Sequence, residues 1–76
     1  MSYKIKKEKI EELKDGRSNS YIASKIGCTE QHVGKIFLGM KNCSKSVALL
    51  LVSFCQKINI DNIDDEILDT YFDKVE

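Results

Sequence analysis

The sequence predicts an all-α fold, a compact single domain of five helices, from three observations. The chain has 76 residues, of which 42% are hydrophobic, so it can bury one modest core and not two. It contains no proline, and apolar residues recur at helical spacing along most of its length. Its 32% of charged residues leave it too apolar for a disordered tail. We expect one domain over residues 1–76, too short for most enzymes and not itself an enzyme.

A glycine ends each of the first two predicted helices. Helix one covers Lys4 to Lys14, and the pair Asp15-Gly16 ends it, because glycine is the residue that most easily terminates a helix. Helix two is about eight residues long, starts after the N-cap hydroxyl of Ser18 and stops at Gly27. Its apolar stripe consists of Tyr21, Ile22, Ala23 and Ile26.

The third and fourth predicted helices differ in how much of their surface is apolar. Thr29 caps the third helix and Gly39 follows its end, with an inward face of Val33, Ile36 and Phe37. The fourth helix, about Ser46 to Lys57, is apolar nearly all round, so we expect it at the centre of the fold.

The fifth predicted helix, about residues 62–75, is acidic on one face and apolar on the other. Its apolar stripe is wider than the roughly 100° needed to cover a core, so part of it is expected to contact another chain. The predicted dimer interface comprises Ile63, Ile67, Leu68, Tyr71 and Phe72.

The formal net charge is zero, but the two signs are divided between the halves of the chain. Residues 1–45 carry ten Lys or Arg against five Asp or Glu, and residues 46–76 carry two against seven. This asymmetry favours a nucleic-acid surface in the first half and another role in the second, although ordinary solvated surface accounts for it about equally well.

Cysteine usage and hydropathy predict the compartment. Three cysteines at irregular spacing argue against a disulfide framework and for a reducing environment. The chain has no apolar run long enough for a membrane span and no signal-peptide pattern at its start. We expect a cytoplasmic protein without a membrane contact. Cys28 and His32 are four residues apart, but no CxxC or HxxxH motif accompanies them, so neither a metal nor a cofactor is expected.

Residues 18–42 are typical of a helix-turn-helix. Ala23 is small where the two helices would cross, and Gly27 allows the sharp turn between them. The pattern Ser18-x-x-Tyr21-Ile22-Ala23-x-x-Ile26-Gly27-Cys28-Thr29-x-x-x-Val33-x-x-Ile36-x-x-Gly39 resembles the helix-turn-helix of the lambda repressor and Cro family.

That resemblance covers about residues 4–58, with the helix-turn-helix at about 18–39. It implies a compact five-helix, lambda-repressor-like fold and a dimeric, sequence-specific DNA-binding regulator of transcription, of the kind found in phages and bacteria. Two positions depart from the family pattern. Phe37 stands where a glutamate is frequent, and Met40 stands where a lysine often follows the glycine, so Lys41 would have to supply that phosphate contact.

The outward face of the third helix holds the predicted base-reading residues. Gln31 and Lys35 point outward one turn apart, flanked by Glu30 and His32. Glutamine can bond adenine with both ends of its amide, and lysine suits the acceptors of guanine or a phosphate. Glu30 can accept a hydrogen bond from cytosine, but its position in the first turn favours the role of an acidic side chain that complements the helix dipole.

Phosphate contacts are expected from the helix starts and turns that flank this face. The predicted set is Arg17, Ser18, Asn19, Ser20, Thr29, Lys41, Asn42, Ser44 and Lys45.

Two functions remain open from the sequence. The first is a homodimeric regulator that binds a partly palindromic operator in double-stranded DNA. It would act in a bacterial cell and be encoded by the bacterium or by a phage. The second is a protein-interaction module that binds another protein through the acidic C-terminal helix.

Overall fold

The computed structural model describes residues 2–75, which form five helices and a two-stranded antiparallel sheet. The α-helices are α1 (Ile10–Lys14), α2 (Asn19–Ile26), α3 (Glu30–Phe37), α4 (Lys45–Gln56) and α5 (Asp65–Tyr71). The strands are β1 (Ser2–Ile5) and β2 (Phe72–Val75), and short 3₁₀ turns cover Lys7–Lys9 and Ile60–Asn62. The expectation of an all-α, five-helix lambda-repressor-like fold is therefore wrong, because the two ends of the chain pair as strands.

The first predicted helix, Lys4 to Lys14, is α-helical only from Ile10 onward and is preceded by the 3₁₀ turn Lys7–Lys9. Tyr3 and Ile5 are buried while Lys4 between them is exposed, which is the alternation of a strand with one buried face. The apolar side chain of Ile5 fits a strand as well as a helix, and its partner strand lies at the other end of the chain.

The fifth predicted helix, residues 62–75, is also divided. Asp64 caps α5 by accepting a hydrogen bond from the amide of Ile67, 2.8 Å, and the helix ends at Tyr71. Phe72 then adopts extended backbone angles and faces Ile5 in the sheet, whose register also pairs Ser2 with Val75. The acidic helix is therefore only seven residues long.

One hydrophobic core joins all these elements, with α4 in contact with α1, α2, α5 and β1. Helix α4 runs from its cap at Ser44, whose hydroxyl accepts from the amide of Val47, 3.2 Å, to Lys57 in the left-handed conformation. Its central position agrees with its nearly uniform apolar surface. The buried apolar side chains are Tyr3, Ile5, Leu13, Ile22, Ala23, Ile26, Val33, Ile36, Phe37, Cys43, Ala48, Leu51, Val52, Cys55, Leu68 and Phe72.

No helix within residues 2–75 combines the length and the apolar character that a membrane crossing requires.

Candidate nucleic-acid interface

The turn between α2 and α3 is fixed by backbone geometry at Gly27. Gly27 has φ +79°, a left-handed value that side-chain-bearing residues rarely adopt. The amides of Gly27 and Cys28 both donate to the carbonyl of Ala23, each at 3.0 Å. Ala23 is buried, in keeping with a small residue where the two helices pack. The two helices therefore form a helix-turn-helix with little freedom at the turn.

Side-chain caps define where both helices begin. The hydroxyl of Ser18 accepts from the amide of Tyr21, and that of Thr29 accepts from the amide of His32, each at 3.1 Å. These bonds satisfy one of the free amides in the first turn of each helix. The hydroxyl oxygens of Ser18 and Thr29, which the sequence assigned to phosphate contacts, therefore already accept hydrogen bonds within the chain.

The inner face of α3 is anchored in the core. Val33, Ile36 and Phe37 are buried, which turns the opposite side of the eight-residue helix toward solvent. Gln31 and Lys35 are exposed there, one turn apart, and His32 is half-buried beside them. Glu30 is exposed in the first turn, where a negative charge also complements the helix dipole.

The outer side of α3 borders a depression of about 390 Å³. We call it the α3 depression; its lining is Gly27, Cys28, Thr29, Gln31, His32, Lys35 and Lys41. Three of the four predicted base-reading residues thus meet in one concave surface, together with a lysine from the turn after α3. Glu30 does not line it. The charged residues that line the depression are two lysines, and no carboxylate lines it. Its charged groups are therefore hydrogen-bond donors.

Asn19 has a different environment from the one expected for a phosphate ligand. It is half-buried, and its Oδ1 atom is buried without a hydrogen-bond partner among residues 2–75. A β-carbon placed on Gly34 would lie 3.5 Å from its Nδ2 atom. Asn19 therefore packs where α2 meets α3, and Ser20 is the exposed polar residue of that first turn.

Arg17 packs against α4 and is not part of the lining of the α3 depression. Its guanidinium is 5.4 Å from the centre of the Phe54 ring and 3.9 Å from the Asp15 carboxylate. It also donates to the carbonyl of Lys14 at 3.4 Å. Only 18% of the side chain is exposed, so Arg17 joins the α1–α2 turn to α4 and does not reach the α3 depression.

The turn between α3 and α4 divides its polar residues between different neighbours. Lys41 lines the α3 depression. Asn42 donates from Nδ2 to the Ser2 hydroxyl at 3.4 Å, and Ser44 caps α4. The ammonium of Lys45 lies 3.6 Å from the Asp65 carboxylate. Lys41 is therefore the polar residue of this turn that lies beside the exposed side of α3.

The predicted dimer residues are divided between core and surface. Leu68 is 1% exposed and Phe72 is 0% exposed, so both side chains belong to the core of this chain. Ile63, Ile67 and Tyr71 are half-buried and pack against the same core. Ile60, which the sequence did not single out, is 39% exposed just before them.

All three cysteines are free thiols. Cys28 is half-buried in the helix-turn-helix turn, whereas Cys43 and Cys55 are buried. Burial raises the pKa of Cys43 to about 11 and also raises the pKa of Cys55, which the nearby Arg17 partly opposes. Within residues 2–75, no group of three or more His, Cys, Asp or Glu side chains is arranged to hold a metal ion.

Comparisons with protein-family models, with curated proteins and with solved structures found no match for this chain.

Two features of the site do not follow from helical periodicity. Gly27 and Cys28 line the α3 depression from the turn before α3. Lys41 lines it from the turn after α3. The residues of α3 itself follow from helical periodicity, which fixes Gln31 and Lys35 opposite Val33 and Ile36.

Proposed function

We propose that this chain is a sequence-specific double-stranded DNA-binding regulator of transcription. The observation that carries the proposal is the α3 depression, where Gln31, His32, Lys35 and Lys41 meet on the exposed side of a capped helix-turn-helix. An α-helix fits the major groove of B-DNA, and its outward side chains can then reach base edges. The lambda repressor and Cro family uses the helix-turn-helix motif that this segment resembles.

The chemistry of the four side chains suits base edges. The Gln31 amide has both a donor and an acceptor, which matches adenine in the major groove. The lysine ammonium groups offer donors only, which matches guanine or a phosphate. We expect the exposed Ser20 and the free amides at the start of α2 to contact the DNA backbone from the neighbouring helix.

We further propose a homodimer, encoded by a bacterium or a phage, that binds a partly palindromic operator in the cytoplasm of a bacterial cell. Helix α3 has eight residues and is about 12 Å long, given the rise per residue of an α-helix. The α3 of one protomer therefore spans only a few base pairs. Two protomers would double the number of base contacts. With Leu68 and Phe72 in the core, the surface available for such a dimer on α5 and its preceding turn is the one around Ile60, Ile63 and Tyr71.

The decisive experiment is selection from a randomised DNA pool at about 100 mM salt, since protein–DNA affinity depends steeply on salt. The wild-type chain should enrich one partly palindromic motif. The double variant Gln31→Ala with Lys35→Ala should lose that motif and retain its folded circular-dichroism spectrum. A pool without enrichment for the wild-type chain would refute the proposal.

A second candidate is a protein-interaction module, which the charge of α5 and its flanks favours. Asp64, Asp65, Glu66 and Asp69 are all exposed, and this segment carries no lysine or arginine. A basic protein partner would meet this surface. The DNA selection separates the two candidates, because an interaction module enriches no DNA motif.

A further inference from the structure

The segment that follows α3 is fixed at both of its ends. Gly39, at φ +75°, ends the helix, with its amide donating to the carbonyl of Ile36 and that of Met40 donating to Lys35, each at 3.0 Å. Cys43 then exchanges two backbone hydrogen bonds with Tyr3, both 2.8 Å. Only three residues separate Gly39 from Cys43, so the path of the chain at Lys41 is tightly restricted.

This path brings Lys41 to the same depression as Gln31 and Lys35. Its neighbours in sequence face elsewhere: Met40 is 73% exposed and does not line the depression, and Asn42 donates to Ser2. Lys41 is exposed, and no carboxylate lies within ion-pair distance of its ammonium among residues 2–75. The ammonium is therefore not held by an ion pair within residues 2–75 and can bind an acceptor on a ligand.

From this placement we infer that Lys41 is a specificity-determining residue that reads a base edge, in addition to the reading residues on α3. The inference rests on the proposed DNA-binding function. A residue that borders the same surface as Gln31 and Lys35 lies beside the same few base pairs when α3 enters the major groove. An ammonium has donors only, and guanine presents two adjacent acceptors, O6 and N7, in that groove. Lys41 therefore selects guanine within the few base pairs that α3 covers.

The test compares DNA selections by four forms of the full chain at one salt concentration: wild type, Lys41→Ala, Lys41→Gln and Lys74→Ala. Lys74 is an exposed lysine on β2 outside the depression, so its variant makes the same change of charge away from the site. We expect Lys41→Ala to lose a guanine preference of about tenfold at one position of the motif. Lys41→Gln should change that preference to adenine, because a glutamine amide pairs with adenine. Lys74→Ala should retain the wild-type motif.

Two results overturn the inference. In the first, Lys41→Ala selects the wild-type motif but binds all sequences more weakly by the same factor. Its salt dependence is then shallower by about one counterion, and Lys41 is a phosphate contact. Failure of the wild-type chain to enrich any motif removes the DNA-binding function itself and the inference with it. In the first case the proposed function stands, because the motif is still recovered.

Discussion

Tyr3 and Cys43 exchange two backbone hydrogen bonds, N–H to carbonyl in each direction at 2.8 Å, and so connect β1 to the turn that carries Lys41. Tyr3 is 1% exposed and Cys43 is 3% exposed. The strand at the start of the chain therefore supports the position of a residue on the candidate DNA surface, although it lies outside the helix-turn-helix.

Replacing Tyr3 by alanine should destabilise the fold by about 3 kcal/mol, the typical cost of removing a fully buried aromatic side chain. Urea denaturation followed by circular dichroism measures this change. Lys4→Ala serves as the control, because Lys4 is exposed in the same strand and should lower stability by less than about 0.5 kcal/mol. Equal denaturation midpoints for the two variants would contradict the buried position of Tyr3.

Gly34 and Gly27 should respond in opposite directions to replacement by alanine. A β-carbon at Gly34 would make an ordinary contact, 3.5 Å from Asn19 Nδ2, and alanine favours a helix interior by about 1 kcal/mol over glycine. Gly34→Ala should therefore raise the free energy of unfolding by up to that amount. Gly27, at φ +79°, is strained by any side chain, so Gly27→Ala should lower it by about 1–2 kcal/mol.

Thermal denaturation of these two variants provides the measurement, and their DNA binding adds a second result. If Gly34→Ala is more stable but binds DNA more weakly, the DNA approaches the α3 backbone closely at this position. If Gly34→Ala is clearly less stable than the wild type, the helix has no room for a β-carbon beside Asn19, contrary to the 3.5 Å contact.

Gln31→Ala and Lys35→Ala should each weaken binding to the selected DNA motif by about 1–3 kcal/mol, the usual value of a good base contact. Both side chains are exposed, so the free energy of unfolding should change little. Fluorescence anisotropy with a labelled duplex measures the affinity. Wild-type affinity in both variants would exclude α3 as the reading helix.

The helix-turn-helix could be predicted from the sequence because its signals are local. The caps at Ser18 and Thr29 and the turn at Gly27 each depend on residues within four positions of one another. Periodicity of the apolar residues then identified the inner face of α3. The same reasoning placed Gln31 and Lys35 on the outside, where the structure also has them.

The strands could not be predicted in this way, because each is stabilised by a partner about 70 residues away. Ser2 pairs with Val75 and Ile5 pairs with Phe72, and a four-residue segment is too short for its alternation to outweigh a helical pattern. The same non-local packing buries Leu68 and Phe72, which the sequence assigned to a dimer. It also brings Lys41 to α3 and takes Arg17 to Phe54.

Leu68→Ala should destabilise the monomer by about 2–5 kcal/mol, because it leaves a cavity in the core. A change in association state alone is not expected from this residue. Calorimetry and sedimentation velocity on the same sample separate the two effects, with the exposed Asp69→Ala as the control. A stable monomeric Leu68→Ala, formed from a dimeric wild type, would instead place Leu68 in an interface.

The three thiols should differ in reactivity and in their effect on stability at high pH. Cys28 is half-buried and should react with a maleimide in the native protein, whereas Cys43 and Cys55 should react only after unfolding. Burial raises the pKa of Cys43 from 9.0 to about 11, so the folded state holds this proton more tightly than the unfolded state. This contribution to stability is complete below pH 9 and is lost as the pH rises toward about 11.

Mass spectrometry after brief labelling counts the modified cysteines. Urea denaturation measures the free energy of unfolding between pH 8 and pH 11, the window set by this pKa shift. The control is Cys43→Ala, which removes the titrating thiol and should show a smaller loss of stability over that range. Rapid native labelling of Cys43, or an identical pH dependence in the variant, would show that this thiol is not enclosed between β1 and the core.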